Sequence, residues 1–366
     1  MKLIDRWLLR SFLKAWLVCF SSLLSLYVVI DLFGKLDEFL DVAQGNWGQL
    51  LVNTGVYYSY QVVLIFDRLN GVIMLLAAMF TVTWMQRNNE LTPLLTSGIR
   101  LQRVLRPVWI GTLLMLTLGL LNREMLMPVV VERLSHSGVD PQQNQVKSVA
   151  GAYEPNGILI EGRYAIARDQ KVGGFTCTIP VRIAGSLLHL HATEAIYLPP
   201  GQGKQSGGWL LLGTRPRELP AWPQSPFTTI DSGKIFLKTE QVDFERLTRH
   251  RNWAQSASTA QLHEELLEEG TSRLGLVAVQ WHLRFTSPIL ALLLVGMGLA
   301  LLLRDASRHM YVNAGFSLGL AALLYASFYL SRFLGDSGFL TPALAAWMPL
   351  LIFGPITFWL QSGMRS

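Results

Sequence analysis

"QRNNELTPLLTSGIRLQRVLRP", Gln86 to Pro107, lies between two long apolar runs and carries four arginines against one glutamate. A tight turn would suffice to join two membrane spans, so a longer basic segment here needs a reason. Thr92 can cap a short helix, Pro93 can sit at its first position, and Gly98 can end it. The pattern predicts a short amphipathic helix held between spans. Which side of the membrane it occupies orients the rest of the chain.

Working outward, six runs approach the roughly 20 apolar residues that cross a bilayer. They are Trp16–Phe33, Leu69–Met85, Val108–Met127, Val277–Leu303, Met310–Ser331 and Ala343–Leu360. Helix-compatible sequence already begins near Thr54, and Asp67-Arg68 interrupts it. Charge at full membrane depth is costly, which predicts this pair at an interface or facing protein, as a salt bridge or snorkelling pair. The composition agrees with a membrane protein bearing a polar portion: 51% hydrophobic, 15% charged, mean hydropathy +0.33. The opening "MKLIDRWLLRSFLKAW" spreads charge over several helical turns, and no small-residue cleavage site follows it. It reads as a signal anchor.

Basic residues divide the connectors into two sets. Lys2, Arg6, Arg10 and Lys14 precede the first span; Arg87, Arg100, Arg103 and Arg106 join the second to the third; Arg304 and Arg308 join the fourth to the fifth; Arg365 follows the sixth. The other connectors, "GKLDEFLDVAQGN" and "RFLGDSGFLTP", are net acidic and about neutral. The positive-inside rule then predicts both termini in the cytoplasm and the polar stretch Pro128–Ser272 outside. Within that stretch "GILIEGRYAIARDQ", "SLLHLHATEAIYLP" and "GGWLLLGTRP" read as short strands between turn-forming clusters, as in an antiparallel sandwich or jelly roll. "STAQLHEELLEEG" reads as a helix with a hydroxyl cap near its start and Gly270 at its end. The expected fold class is membrane α+β, with six transmembrane helices and a periplasmic β-jelly-roll domain inserted between the third and fourth. The expected parts are 1–127, 128–272 and 273–366.

Catalytic patterns are missing. The net charge of +6 accompanies no nucleic-acid motif, so it reports topology and lipid headgroups. "GQGKQS" places Gln205 after Lys204, where a phosphate loop requires Ser or Thr. His189 and His191 share a strand face without a Cys or carboxylate partner at suggestive spacing, which favours an exposed strand over a metal pair. "HEELLEE" lacks the second histidine of a zinc helix, and His282 reads as an interfacial histidine. Cys19 and Cys177 fall in an apolar span and a polar region, so no disulfide is expected. No metal, cofactor or ATP-hydrolysing site is expected; energy would come from another subunit.

Five stretches carry a resemblance. "RNNELTPLLTSGIRLQRV", with Asn-Glu-Leu-Thr followed by Ser-Gly-Ile, resembles the cytoplasmic signature of the LptF/LptG (YjgP/YjgQ) family of lipopolysaccharide-export permeases. "LIDRWLLRSFLKAW" is similar to the family's N-terminal helix. "WHLRFTSPILALLLVGMGLALL" resembles the opening of its fourth span, and "GFLTPALAAWMPLLIF" its final span. "ATEAIYLPPGQGKQSGGWLLLG" is similar to a strand–loop–strand of its periplasmic domain. The chain departs from the family pattern at Pro93, usually alanine, and in "YQVVLIFDRLNGVIM", which lacks the prolines common there.

The resemblance implies a pair of permeases on a dimeric LptB-like ATPase, passing lipopolysaccharide to LptC/LptA-like periplasmic jelly rolls. Glu90, Leu91, Thr92, Leu94, Ser97, Gly98 and Arg100 would belong to the ATPase-coupling helix, with Glu90 facing a basic partner residue and Arg100 an acidic one. Spans one and five would line the lipid cavity, which brings in Asp31, Lys35, Tyr325 and Arg332. Lys35 and Arg332 would neutralise lipid phosphates, or else snorkel to ordinary headgroups. A permease for another amphipathic lipid fits nearly as well. A non-ABC transporter would need inverted repeats or broken helices, and none is legible.

Overall fold

The computed structural model describes residues 3–43, 47–136, 149, 151–166, 169–201, 207–217, 219–220, 222, 225–248, 253–267, 274–304 and 310–363. Lys2, the Gly203–Ser206 loop, Gly270, Arg308 and Arg365 lie outside them. Two compact units divide the chain. One comprises Met1–Leu134, Ser256–Leu262 and Gly275–Ser366; the other comprises Ser135–Gln255 and His263–Leu274.

The chain opens with α1 (Leu3–Gly34), α2 (Leu36–Ala43), α3 (Trp47–Arg87), α4 (Leu91–Thr96) and α5 (Leu101–Leu121). A five-residue π-helix, Asn122–Leu126, carries α5 into α6 (Met127–His136). Short helices α7 (Val181–Ala184), α8 (Phe244–Thr248), α9 (Trp253–Ser256) and α10 (Thr259–Leu267) precede α11 (Leu274–Arg304), α12 (Met310–Asp336) and α13 (Pro342–Ser362). Among the described residues six helices are long and apolar enough to cross a membrane: α1, α3, α5 with its continuation to Val131, α11, α12 and α13.

The second span differs from expectation. Asp67-Arg68 does not interrupt it; α3 runs unbroken for 41 residues, about 60 Å at 1.5 Å per residue. The reason lies across the bundle. Asp67 Oδ1 stands 3.9 Å from Arg123 Nε, each side chain 18% exposed, while Arg68 points outward. The carboxylate is answered by the π-helix after α5 instead of by its sequence neighbour, and the backbone has no need to break.

Apolar packing between spans is pinned by one polar hub. Asn70, buried in α3, accepts from the Trp16 indole N–H at 3.3 Å and donates to the Met115 carbonyl at 3.0 Å. One amide thus fixes α1, α3 and α5 together, because an unmet polar group in an apolar interior is expensive.

The second unit holds an antiparallel sheet of β1 (Ala152–Tyr153), β2 (Leu159–Glu161), β3 (Tyr164–Ile166), β4 (Lys171–Ile179), β5 (Leu188–Leu198), β6 (Gly208–Arg215), β7 (Phe227–Asp231) and β8 (Lys234–Lys238). The strand order is β1-β2-β4-β5-β6-β8-β7, with β3 continuing beside β4. Inward-facing residues are Ile160 and Ala165, then Val172, Phe175 and Cys177, then Leu190, Ala192 and Ala195, then Trp209, Leu211 and Thr214. In each set the alternation slips by one residue. The slip falls along one row of the sheet, through Arg163, Gly174, Thr193 and Gly213, as the constant pairing registers require. Gly174 and Gly213 take φ of 62° and 69°, a region glycine enters without steric cost. The sheet therefore bends along this line while keeping one apolar face.

That face is closed by Trp209, whose indole N–H donates to the Val242 carbonyl at 2.9 Å, with Phe175 and Tyr197 rings 5.4 and 5.2 Å away. The buried Glu154 carboxylate accepts the backbone N–H groups of Glu240, Gln241 and Val242 at 3.2, 3.2 and 2.7 Å.

Candidate functional site

The segment between the second and third spans is built from two left-handed helix ends. At the end of α3, Asn89 takes φ 55°; its N–H donates to the Gln86 carbonyl at 3.1 Å, and that of Glu90 to the Met85 carbonyl at 2.9 Å. At the end of α4, Gly98 takes φ 80°; its N–H donates to the Leu95 carbonyl at 3.0 Å, and that of Ile99 to the Leu94 carbonyl at 3.2 Å. Both have the paired bonds of a Schellman end, which satisfy carbonyls that a helix terminus otherwise leaves orphaned. Gly98 ends the helix as the sequence predicts. Asn89 was not anticipated, although asparagine is the commonest substitute for glycine at such a position.

The expected cap at Thr92 is corrected. Glu90 occupies the cap position in a right-handed conformation without a side-chain cap, so the helix begins at Leu91 and Thr92 is its second residue. Pro93 is third, still within the turn whose N–H groups have no intrahelical acceptor.

Burial sorts the segment into two faces. Leu91 is buried in the span core, and Leu94 and Ile99 pack against it. Thr92, Pro93, Leu95, Thr96, Ser97 and Arg100 are exposed. Leu91 and Leu94 therefore anchor the helix, while Leu95, 40% exposed and not singled out from sequence, is the apolar contact it offers. At the start of α5, Leu101, Val104 and Leu105 face in and Arg100, Arg103 and Arg106 face out. Three exposed cations thus follow α4 in the chain.

The residues proposed for lipid fall into separate settings. Lys35 Nζ lies 3.0 Å from Asp31 Oδ1 and donates to the Tyr57 hydroxyl at 2.7 Å. Tyr58 donates to Asp31 Oδ2 at 3.2 Å, and Gln61 to the Tyr57 hydroxyl at 2.9 Å. Burial acts to lower the Lys35 pKa, but the Tyr57 and Asp31 hydrogen bonds outweigh it and push it above the ordinary lysine value. Lys35 is held charged by two elements, with Phe39 closing over Tyr57 and Tyr58.

Arg332 on α12 has Asp336 Oδ2 3.5 Å from Nε. With its amide turned oxygen-first toward the guanidinium, the buried Gln280 also accepts from Nε and Nη2 at 3.1 Å. Tyr325 packs into the bundle, where a Cβ on Gly71 would come within 2.7 Å of its hydroxyl. Asp31 and Lys35 are brought together as one cluster; no hydrogen bond or ion pair joins them to Tyr325 or Arg332 among the described residues.

His189 and His191 lie on the exposed face of β5, each bonded through Nδ1 to a threonine of β4 at 3.0 Å. No group of three or more metal-ligating side chains occurs among the described residues.

A family profile described as "Lipopolysaccharide export system permease LptF/LptG" matches residues 6–362. No curated protein matches the chain. With six spans, an antiparallel sheet between the third and fourth, and that match over nearly its whole length, the chain belongs to the LptF/LptG family of lipopolysaccharide export permeases.

Proposed function

We propose that the chain is one permease half of an ABC exporter that lifts lipopolysaccharide from the inner membrane into a periplasmic bridge of β-domains. The observation that carries the ATPase-coupling role is the two-faced α4. Its inner leucines fuse it to the spans, two left-handed ends fix its direction, and its outer face offers Thr92, Leu95 and Ser97 beside Arg100. A short rigid helix so anchored transmits displacement with little loss, which a flexible loop cannot. Glu90 and Arg100 supply opposite charges at its two ends for register on an ATPase.

In this reading both termini and α4 are cytoplasmic, and the sheet is periplasmic. The Lys35–Asp31 cluster meets lipid phosphate: Lys35 already has its charge fixed, and a phosphate competes with Asp31 for it. Arg332 acts the same way once Asp336 yields. The apolar exposure of Val29, Ile30 and Phe33 on α1 and of Phe316, Leu323 and Leu330 on α12 supplies surface for acyl chains and a second permease.

The test is co-purification with nucleotide-binding subunits from the same cell, followed by ATPase measurement with and without lipopolysaccharide. A tightly associated ATPase whose rate responds to lipopolysaccharide is expected. Absence of any associated ATPase would overturn the coupling role. A response to another glycolipid alone would replace the substrate.

A further inference from the structure

Away from α4 and the Lys35 cluster, a second set of charges lies inside the span unit. Arg284 on α11 is 5% exposed. Its Nη2 donates to the Ala257 carbonyl, and its Nη1 stands 3.7 Å from Glu124 Oε1. Glu124, in the π-helix after α5, accepts the Thr259 backbone N–H at 2.8 Å and the Thr259 hydroxyl at 2.5 Å. The neighbouring Arg123 faces Asp67 on α3 and donates to the Ser287 hydroxyl at 3.1 Å.

Ala257 and Thr259 flank the start of α10. That start is fixed by a capping box: the Gln261 N–H donates to Ser258 Oγ at 3.2 Å, and the Ser258 N–H to Gln261 Oε1 at 2.8 Å. Glu124 therefore grips the first turn of α10 from the third span, and Arg284 grips the residue before its cap from the fourth.

An ion pair that takes a guanidinium out of water while its carboxylate stays part-exposed is a poor device for stability, since apolar side chains of similar size often do as well. What it adds is a defined geometry. The π-helix supports the same reading: its inserted residue resets side-chain phase, and such bulges concentrate at working sites. The loose link is the one between the two residues: Glu124 holds Thr259 and Arg284 holds Ala257 by hydrogen bonds, while Glu124 and Arg284 stand 3.7 Å apart and the Glu124 side chain is 38% exposed. A shift between the third and fourth spans would open the Glu124–Arg284 contact first.

We propose that Glu124 and Arg284 are positioning residues for export, seating the start of α10 on the third and fourth spans so that span movement resets this helix. The inference rests on the exporter reading. The test uses the complete complex, with ATPase and second permease, in lipopolysaccharide-containing proteoliposomes with a soluble β-domain acceptor. Both ATP hydrolysed and lipopolysaccharide released are measured.

Glu124→Gln and Arg284→Met are each expected to lower lipopolysaccharide released per ATP about ten-fold while hydrolysis stays within about two-fold. The double variant should be no worse than the poorer single, as for residues acting as one unit. An unchanged ratio, a parallel fall of hydrolysis and release, or multiplying losses in the double would each overturn the proposal. If Arg284→Met does not assemble, Thr259→Val removes one hydrogen bond and keeps both charges; about a three-fold loss of the same ratio is expected, and none would overturn it. A wild-type complex that hydrolyses ATP without releasing lipopolysaccharide would instead sink the exporter reading beneath it.

Discussion

Asn89 at φ 55° and Gly98 at φ 80° both occupy the left-handed region, and the path between the second and third spans depends on both. A β-branched side chain there costs about 1–2 kcal/mol. Gly98→Val is therefore expected to loosen α4 and depress lipopolysaccharide-stimulated ATPase activity, with Asn89→Gly close to wild type; equal activity in Gly98→Val would contradict the fixed-helix picture. Cys177 is fully buried in the sheet, and burial, followed by the nearby Glu154 charge, pushes its thiol above the ordinary range. Thiolate is the reactive form, so Cys177 should resist maleimide at neutral pH and react only after unfolding, as mass spectrometry of the labelled protein would show. Gly98 was legible because a glycine closing an apolar-periodic stretch has one common use. The Thr92 cap was misplaced because hydroxyl, proline and glycine point to a start at Pro93, whereas the helix begins two residues earlier, at Leu91, which only the conformation of Glu90 reveals.

Helices and strands differed in how openly they declared themselves. Six apolar runs of membrane length gave six spans, since a bilayer demands nearly the same composition everywhere. The extent of α3 was hidden, because the partner of Asp67 is Arg123, far off in sequence and near only in space. Asn70 was hidden for the same reason. Asn70→Leu strands the Trp16 indole N–H and removes the added bond to the Met115 carbonyl, and should cost about 1–2 kcal/mol in detergent unfolding. In the sheet, "KVGGFTCTI" is the long strand β4, yet it was absent from the expected strands, since a Gly-Gly pair reads as a turn. Its function is the bend: Gly174 and Gly213 sit in the row where inside and outside exchange. A Cβ at Gly213 would meet Thr193 Oγ1 at 2.6 Å. Gly213→Val should cost about 2 kcal/mol and make residues 152–238 sensitive to protease while the spans persist.

At the scale of the whole molecule, orientation carries the functional claim. Arginines flank one set of connectors, and the acidic or neutral connectors and the strands belong to the other. Cysteines placed at Thr96 and at Thr228 on the exposed face of β7 should label from opposite sides of the inner membrane, with Thr96 reached from the cytoplasm. The family was legible from ordered motifs. The seat of α10 was not, because Glu124, Thr259 and Arg284 come from three distant stretches and share no pattern until folded.

The most direct test places a photoreactive amino acid at Thr92 or Leu95, on the outer face of α4, and at Leu91, on its inner face, in the intact complex. Capture of a nucleotide-binding subunit from positions 92 and 95 but not from 91 is the expected result. Failure at both outer positions, while an ATPase is captured from the exposed β-sheet residue Thr228, would contradict it.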